Sequence, residues 1–241
     1  MNTRYIRPIL LLMAIFFVSA FYLRIIRGSG KVIVKSWQLK SFDHINLNGS
    51  GVVIITQNGE ESLSVETDDN VMEYIKADVK DGTLHIGFED GINIISTTRL
   101  VFHVGVDDLS RLTVFGSGKI ETDWLEADTV ALKVYGSGNI RVADMSVGNI
   151  ETDLYGSGLI QLAGEVNTQD VSINGWGKYM AGDVCSERVR VWVNGSGDST
   201  ICAIDHLEVI ITGSGSVNYY DKPMIDFSGF GSGSLISLGK R

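Results

Sequence analysis

Proline and cysteine are both scarce in this chain, which has two of each among its 241 residues. With only two prolines and 44% hydrophobic residues, it has the apolar content to fold and is not a disordered, Pro-rich chain. Its 28 glycines do not recur at every third position, which excludes collagen. The four histidines are scattered, and two isolated thiols cannot complete a zinc site, so no metal site is predicted.

Basic residues are few beyond the start of the chain. Residues 1–27 contain four of the 20 basic residues and none of the 29 acidic ones. The remaining residues therefore carry 16 basic and 29 acidic side chains, a balance of −13. Such a surface repels phosphate backbones, so we expect no nucleic-acid partner.

An apolar segment, residues 9–23, follows Arg4 and Arg7 and resembles the core of an export signal. Fifteen residues rise only about 22 Å as a helix, less than the roughly 30 Å hydrocarbon core of a bilayer. Apolar residues resume shortly afterwards, so an uncleaved anchor is the alternative. We expect an exported protein of the periplasm or cell surface, with residues 1–27 as a signal or anchor helix and possible membrane attachment through residues 9–26.

The strongest signal is a G-x-G tripeptide that recurs at intervals of 18–20 residues through the second half of the chain. One further copy lies upstream. Periodic self-similarity of this length indicates a repeat architecture. The repeat glycines are Gly49, Gly51, Gly116, Gly118, Gly136, Gly138, Gly156, Gly158, Gly175, Gly177, Gly195, Gly197, Gly213, Gly215, Gly231 and Gly233.

Apolar and polar residues alternate before each tripeptide, as in Leu132-Lys133-Val134. A period of two with β-branched residues is typical of a half-buried strand. Continuing the alternation turns both glycines of each tripeptide toward the interior and the middle residue toward solvent. An aliphatic row then returns four places after the first glycine, and Tyr179 and Ser199 interrupt it.

One such strand per repeat cannot bury its own face, whereas equivalent strands stacked about 4.8 Å apart form a continuous core. We therefore predict an all-β, right-handed parallel β-solenoid for residues 112–241, with coils of about 18–20 residues. Residues 28–111 are predicted as less regular β coils or a small capping sheet. An antiparallel meander is disfavoured, because tight hairpins prefer Asn-Gly or Asp-Gly turns.

The two cysteines, Cys185 and Cys202, lie 17 residues apart, which is close to one repeat but not equal to it. In an exported protein they could form one disulfide or stay as two free thiols. The spacing alone leaves both alternatives open.

The segment SFDHINLNGSGVVIITQNGEESLSVETDD, followed by LTVFGSGKIE and later G-S-G repeats, resembles the head GIN domain family. The likeness covers roughly residues 36–238. That family is regarded, by analogy, as autotransporter adhesins of Bacteroidetes-type cell envelopes. The resemblance implies an exported β-helical protein and offers no catalytic residues. This chain departs from the G-S-G theme at Trp176 and has no cysteine that could carry a lipid after its apolar segment.

No catalytic or cofactor-binding site can be assigned from the residues. The tripeptides lack the strand, loop and helix frame of dinucleotide or phosphate loops. Asp123 and Asp153 recur with the repeat, but Asp144 falls at another offset, so a catalytic carboxylate pair is not indicated. Solvated turn acids are the more ordinary interpretation.

One candidate binding surface is an outward strip of aromatic and amide side chains. Such a strip could stack on sugar rings or on a protein partner. Alternatively, the aromatic residues and the asparagines form in-register ladders that only stabilise neighbouring strands. The strip consists of Phe115, Tyr135, Tyr155, Trp176, Trp192, Asn174 and Asn194.

We expect a non-enzymatic adhesin that presents a repetitive surface to an envelope glycan or protein through many weak contacts. The alternative is a structural or sensory envelope module that forms homo-oligomers or partners a membrane protein, which an exposed end strand would favour. A carbohydrate-active β-helix enzyme is a third and less favoured possibility.

Overall fold

The computed structural model describes residues 24–241, so most of the predicted signal or anchor segment lies outside the described residues. Within that range the chain is almost entirely β, and its one helix, α1 (Asp69–Met72), is a single turn. Among the described residues, no helix has the length and apolar character needed to cross a membrane.

The described residues form 21 strands. In chain order these are β1 (Arg24–Arg27), β2 (Val32–Trp37), β3 (His44–Gly49), β4 (Val52–Gln57), β5 (Ser62–Asp68), β6 (Ile75–Lys80), β7 (Thr83–Phe88), β8 (Ile92–Ser96), β9 (Leu100–Val106), β10 (Arg111–Gly116), β11 (Lys119–Thr122), β12 (Leu125–Gly136), β13 (Asn139–Val142), β14 (Met145–Gly156), β15 (Leu159–Ala163), β16 (Glu165–Gly175), β17 (Lys178–Gly195), β18 (Asp198–Gly213), β19 (Ser216–Tyr220), β20 (Met224–Gly231) and β21 (Ser234–Ser237).

Two parallel ladders run the length of a β-solenoid of about six turns. In the first ladder β7 is followed by the strands that end at a G-x-G tripeptide, in the order β3, β10, β12, β14, β16, β17, β18, β20. In the second ladder β9 is followed by the strands that come after a tripeptide, from β4 to β19 and β21. The predicted parallel solenoid is confirmed; its right-handedness stays a prediction.

The aliphatic rows of successive coils form the core. Val114, Val134, Leu154 and Ile173 are fully buried, as the alternation predicts. The row after the tripeptides is also buried without a break from Ile120 to Val217, because Tyr179 and Ser199 lie inside it.

The buried phenol of Tyr179 is accommodated by hydrogen bonds. Its hydroxyl donates to Gln169 Oε1 at 2.7 Å, and Gln169 Nε2 donates to Ser186 Oγ at 2.7 Å. Burial raises the pKa of Tyr179, so the phenol stays neutral. The sequence pattern alone could not show that this tyrosine has a partner in the core.

Each G-x-G tripeptide is a corner between the two ladders. The first strand ends at the first glycine, where φ is positive (+109° at Gly116, +127° at Gly136), and the next strand begins after the second glycine. The prediction that both glycines face the interior is therefore wrong for the first glycine, which is exposed at Gly116 and partly exposed at Gly136. It is right for the second glycine, which is buried at Gly118 and Gly138. The Ser137 N–H donates to Gly116 O at 2.9 Å, which ties one corner to the next.

Residues 28–111 combine parallel coils with an antiparallel cap. Strands β3, β4, β7 and β9 join the ladders, while β6 pairs antiparallel with β7, β5 with β9, and β2 with β5. The outer cap strands carry Lys35, Lys76 and Lys80. Charged side chains on edge strands discourage pairing with other chains. The N-terminal end of the solenoid is therefore capped by antiparallel strands whose lysines oppose further pairing.

The folded body includes Arg24–Arg27, four residues that the sequence analysis placed in the signal or anchor segment. They form β1, which pairs in parallel with β8. Ile26 is buried beside Val71 and Tyr74, and the Arg24 guanidinium lies 5.3 Å from the Tyr74 ring centroid.

Cys185 and Cys202 form a disulfide between neighbouring coils, which decides between the two alternatives. Their Cα atoms lie 4.4 Å apart and are paired in register on β17 and β18. The short sequence spacing is reconciled with the coil length by a bulge in β17 between Ala181 and Cys185.

Replacing both Cys185 and Cys202 by alanine should lower the free energy of unfolding by about 3 kcal/mol, because the bond closes a loop of 17 residues. Urea unfolding followed by circular dichroism measures the loss. A reductant should lower the stability of the wild type by a similar amount and leave the double variant unchanged. Equal midpoints for wild type and variant would contradict the prediction.

Candidate functional site

The first ladder presents a broad outer face to solvent. We define the outer face as the residues one, three, five and seven places before the first glycine of each corner. On β17 these residues are Arg188, Arg190, Trp192 and Asn194. All four are at least partly exposed, whereas the intervening valines are buried, as alternation along a strand requires.

The structure brings Phe115, Tyr135 and Tyr155 together as a stacked column on the outer face. The ring centroids are 5.1 Å apart for Phe115 and Tyr135 and 5.2 Å for the two tyrosines, with interplanar angles of 8° and 7°. Stacked rings cover one another's faces and leave their edges at the surface. This is the geometry of cross-strand stabilisation, which adds about 0.5–1.5 kcal/mol per pair.

Asn174 and Asn194 continue the row beyond Tyr155, in register on the next two coils. Asn194 Nδ2 lies 3.5 Å from Asn174 Oδ1, and Asn174 Nδ2 donates to Ser172 Oγ at 3.0 Å. The asparagines therefore form a short amide ladder whose remaining donors and acceptors face solvent.

The two predicted tryptophans lie in different rows. Trp192 is on the outer face and 37% exposed, with the Arg190 guanidinium 5.4 Å from its ring centroid. Trp176 is the middle residue of its corner and is 74% exposed. An indole left this open in water has no packing role that accounts for it. It is available to a partner.

The sequence analysis overlooked Arg190, which links three coils. Its Nε donates to Glu208 at 2.8 Å and its Nη1 to Asp170 at 3.2 Å. These carboxylates raise the pKa of the guanidinium, Glu208 most strongly. Beside it, Arg188 and Thr168 line a shallow depression of about 300 Å³. The alternating Arg-x-Arg-x-Trp-x-Asn pattern of β17 could have revealed this group.

The recurring acid Asp153 is ion-paired. Its carboxylate accepts a hydrogen bond from Lys133 Nζ at 2.6 Å, and the same ammonium lies 3.6 Å from Glu151. The carboxylate raises the pKa of Lys133. This aspartate thus balances a neighbouring charge within the outer face.

Only one group of cysteine, histidine and carboxylate ligands within residues 24–241 is close enough together to hold a metal ion. It consists of Cys185, Cys202 and Asp221. Both sulfurs are engaged in the disulfide, so no thiolate is available as a ligand in this oxidised form.

Comparison with known proteins identifies relatives over nearly the whole described chain. Residues 41–223 match the family described as "Putative auto-transporter adhesin, head GIN domain". No curated protein of known sequence matches the chain.

Several crystal structures share the fold. A "putative adhesin" from Bacteroides fragilis NCTC 9343 is 24% identical, with a TM-score of 0.84 over 88% of this chain and 100% of that one. A "putative adhesin" from Parabacteroides merdae ATCC 43184 is 22% identical, with a TM-score of 0.72 over 89% and 99%. A "putative lipid binding protein" from Parabacteroides distasonis ATCC 8503 is 22% identical, with a TM-score of 0.75 over 89% and 100%.

Proposed function

Because the chain belongs to the head GIN domain family, we propose that it is a non-enzymatic, exported cell-envelope protein with an adhesin-like role. It acts in the periplasm or at the cell surface, and the apolar residues 9–23 lead it through or attach it to the membrane, since residues 24–27 belong to the folded body. The Cys185–Cys202 disulfide supports an exported location, since disulfides persist in oxidising compartments.

The observation that carries the binding proposal is the exposed group around β17. Trp176 and Trp192 offer indole surface, and Arg188 and Asn194 offer hydrogen-bond donors on neighbouring positions. Sugar rings present apolar C–H faces and many hydroxyls, so an aromatic surface flanked by amide and guanidinium groups fits a glycan. We propose an envelope glycan as the partner, held by several weak contacts along the outer face.

The stacked column of Phe115, Tyr135 and Tyr155 is assigned a different role. Tyr135 is covered by a ring on both faces, and Phe115 and Tyr155 on one face each, so we assign the column to stabilising the coils. The predicted strip is thereby divided into a stabilising column and a binding part that contains Trp176 and Trp192, a distinction that the sequence analysis could not make.

The proposal predicts that Trp176→Ala and Trp192→Ala each weaken glycan binding about tenfold, the loss expected for an aromatic contact of about 1.4 kcal/mol. The purified full chain is screened against envelope polysaccharides, and affinities are measured by calorimetry or biolayer interferometry. Circular dichroism confirms that the variants stay folded.

Tyr135→Ala is the matched control. It should lower the free energy of unfolding by about 1–3 kcal/mol, because two stacked contacts are lost, and leave affinity within about twofold. Unchanged affinity in both tryptophan variants would contradict the assigned surface. Binding of envelope proteins alone would replace the glycan with a protein partner. Turnover of a glycan by the purified protein would overturn the non-enzymatic role.

A further inference from the structure

The C-terminal end of the solenoid differs from the rest of its length. We call β20 and β21 the open end, because within residues 24–241 they pair on one side only, with β18 and β19. Every residue of β20 is exposed. Ile225 and Phe227 continue the interior rows of Leu207 and Val209, which are fully buried one coil earlier. Within the described residues, the core therefore ends in apolar side chains that no further coil covers.

The open end also exposes unpaired backbone. The outer N–H and C=O groups of an edge strand are a template for another strand. Exposed apolar side chains extend from Met224 and Phe230 on β20 to Ile236 on β21. A bilayer could accept these side chains but offers no partner for the backbone groups. A protein strand satisfies both requirements.

The opposite end shows how this fold closes a ladder. There β7 accepts β6 as an antiparallel strand, in register from Ile75 and Phe88 to Lys80 and Thr83. The cap strands β2 and β6 also pair on one side only, but they carry Lys35, Lys76 and Lys80, and charged side chains of this kind discourage pairing with an open end. Stacking of the open end of one copy on the N-terminal end of another is thereby disfavoured. The open ends of two copies can instead pair with each other.

We propose that two copies of this chain form a two-fold symmetric dimer in which their β20 strands pair antiparallel, end to end. A contact of this type is isologous and closes at two subunits. It buries Ile225 and Phe227 of both copies and pairs both strand edges. Asp226 is the only charged residue on β20 and β21, and it lies 3.2 Å from His206 of the preceding coil, so little like charge opposes the contact.

The dimer uses a surface separate from the outer face and does not rest on the proposed glycan binding. Either can therefore fail without the other. The full chain in mild detergent should sediment at equilibrium as a protein mass of twice 26.3 kDa at micromolar concentration. A monomer at up to about 100 μM would overturn the proposal, and masses that grow without limit would overturn the closed symmetry.

Phe227→Lys should raise the dimer dissociation constant at least about tenfold, because it places a charge at the centre of the contact. Ile95→Lys is the matched control: its isoleucine is 48% exposed, against 46% for Phe227, and lies on β8, which pairs with β1 and not with the strands of the open end. The control should dimerise like the wild type. Equal dimerisation of both variants would overturn the assignment of the interface.

Cross-linking places the contact on the strand itself. Ser228→Cys, in the middle of β20, should give a covalent dimer with a short bismaleimide, because the two β20 strands lie side by side in the proposed dimer. The native cysteines do not compete for the reagent, since they are joined in their own disulfide. Asp78→Cys on the cap strand β6 should stay monomeric on the same gel. Cross-linking through Asp78→Cys and not through Ser228→Cys would place the contact at the other end and contradict the proposal.

Discussion

Replacing Gly136 by alanine should lower the free energy of unfolding by about 3–5 kcal/mol, the largest effect we expect from a single methyl group in this protein. Gly136 has a φ of +127°, and a Cβ atom there would lie 2.5 Å from the carbonyl oxygen of Gly116 on the preceding coil. That oxygen accepts the hydrogen bond from Ser137, so neither strand can move away without opening the corner. Denaturant unfolding measures the loss.

Gly30→Ala separates the two causes of this loss of stability, which are backbone strain at a positive φ and the close contact with the preceding coil. Gly30 also has a positive φ, +83°, but a Cβ atom there would meet nothing within 4 Å. We expect a loss of about 1–2 kcal/mol from backbone strain alone. If the two variants were equally stable, the close stacking of corners would not explain the glycines of the repeat.

The second large effect is expected at Asp68, whose buried carboxylate ties the N-terminal cap together. It accepts hydrogen bonds from Thr97 Oγ1 at 2.5 Å, from Thr98 N at 2.7 Å and Oγ1 at 3.0 Å, and from Gly30 N at 2.8 Å. These donors, Thr97 first, lower the pKa of Asp68 against the opposing effect of burial. Asp68→Asn turns an amide N–H₂ toward some of these donors and should lower the free energy of unfolding by about 2–4 kcal/mol at neutral pH.

The pH dependence follows from the sign of the shift. Because the pKa of Asp68 is lower in the folded protein than its ordinary value of 3.8, its stabilisation is fully present above that value and is lost as the pH falls through the folded pKa. The difference in the free energy of unfolding between wild type and Asp68→Asn should therefore shrink in acid below about pH 4. Asp123→Asn, an exposed control, should change stability by less than about 0.5 kcal/mol. A difference that grows in acid would contradict the assignment.

The repeat region could be predicted from the sequence because each coil repeats the same physical solution. Val114, Val134 and Leu154 occupy one interior row and are paired in register. A strand period of two within a repeat of 18–20 residues specifies both the buried face and the neighbouring strand. The same sequence pattern therefore predicts which residues are buried and which strand each one pairs with.

The cap could be predicted only as strands. The alternation in β5 identifies a strand, but β5 lies antiparallel between β2 and β9, and none of the three segments repeats another. Without a repeat, alternation gives no information on which strand is the neighbour. For the same reason the sequence could not predict the hydrogen bonds of Asp68, which join segments 29 to 38 residues apart.

The sequence predicts which side chains of the candidate site point outward, but not how those side chains contact one another at the surface. The position of Tyr135 before its glycine shows that the ring points outward, but the face-to-face stacking with Phe115 and Tyr155 depends on rotamers in three coils. The ion pairs of Arg190 likewise depend on the register of β16, β17 and β18. These contacts decide which aromatic rings are free to bind.

The central claim is that the corners stack directly on one another, coil after coil. Spin labels on cysteines placed at Ser117 and Ser214, five rungs apart along the corner row, test it by pulsed electron paramagnetic resonance. At about 4.8 Å per rung, the account predicts a single backbone separation of about 24 Å, shortened by one rung when Ser196 replaces Ser214. A separation that does not change with the number of intervening rungs would contradict it.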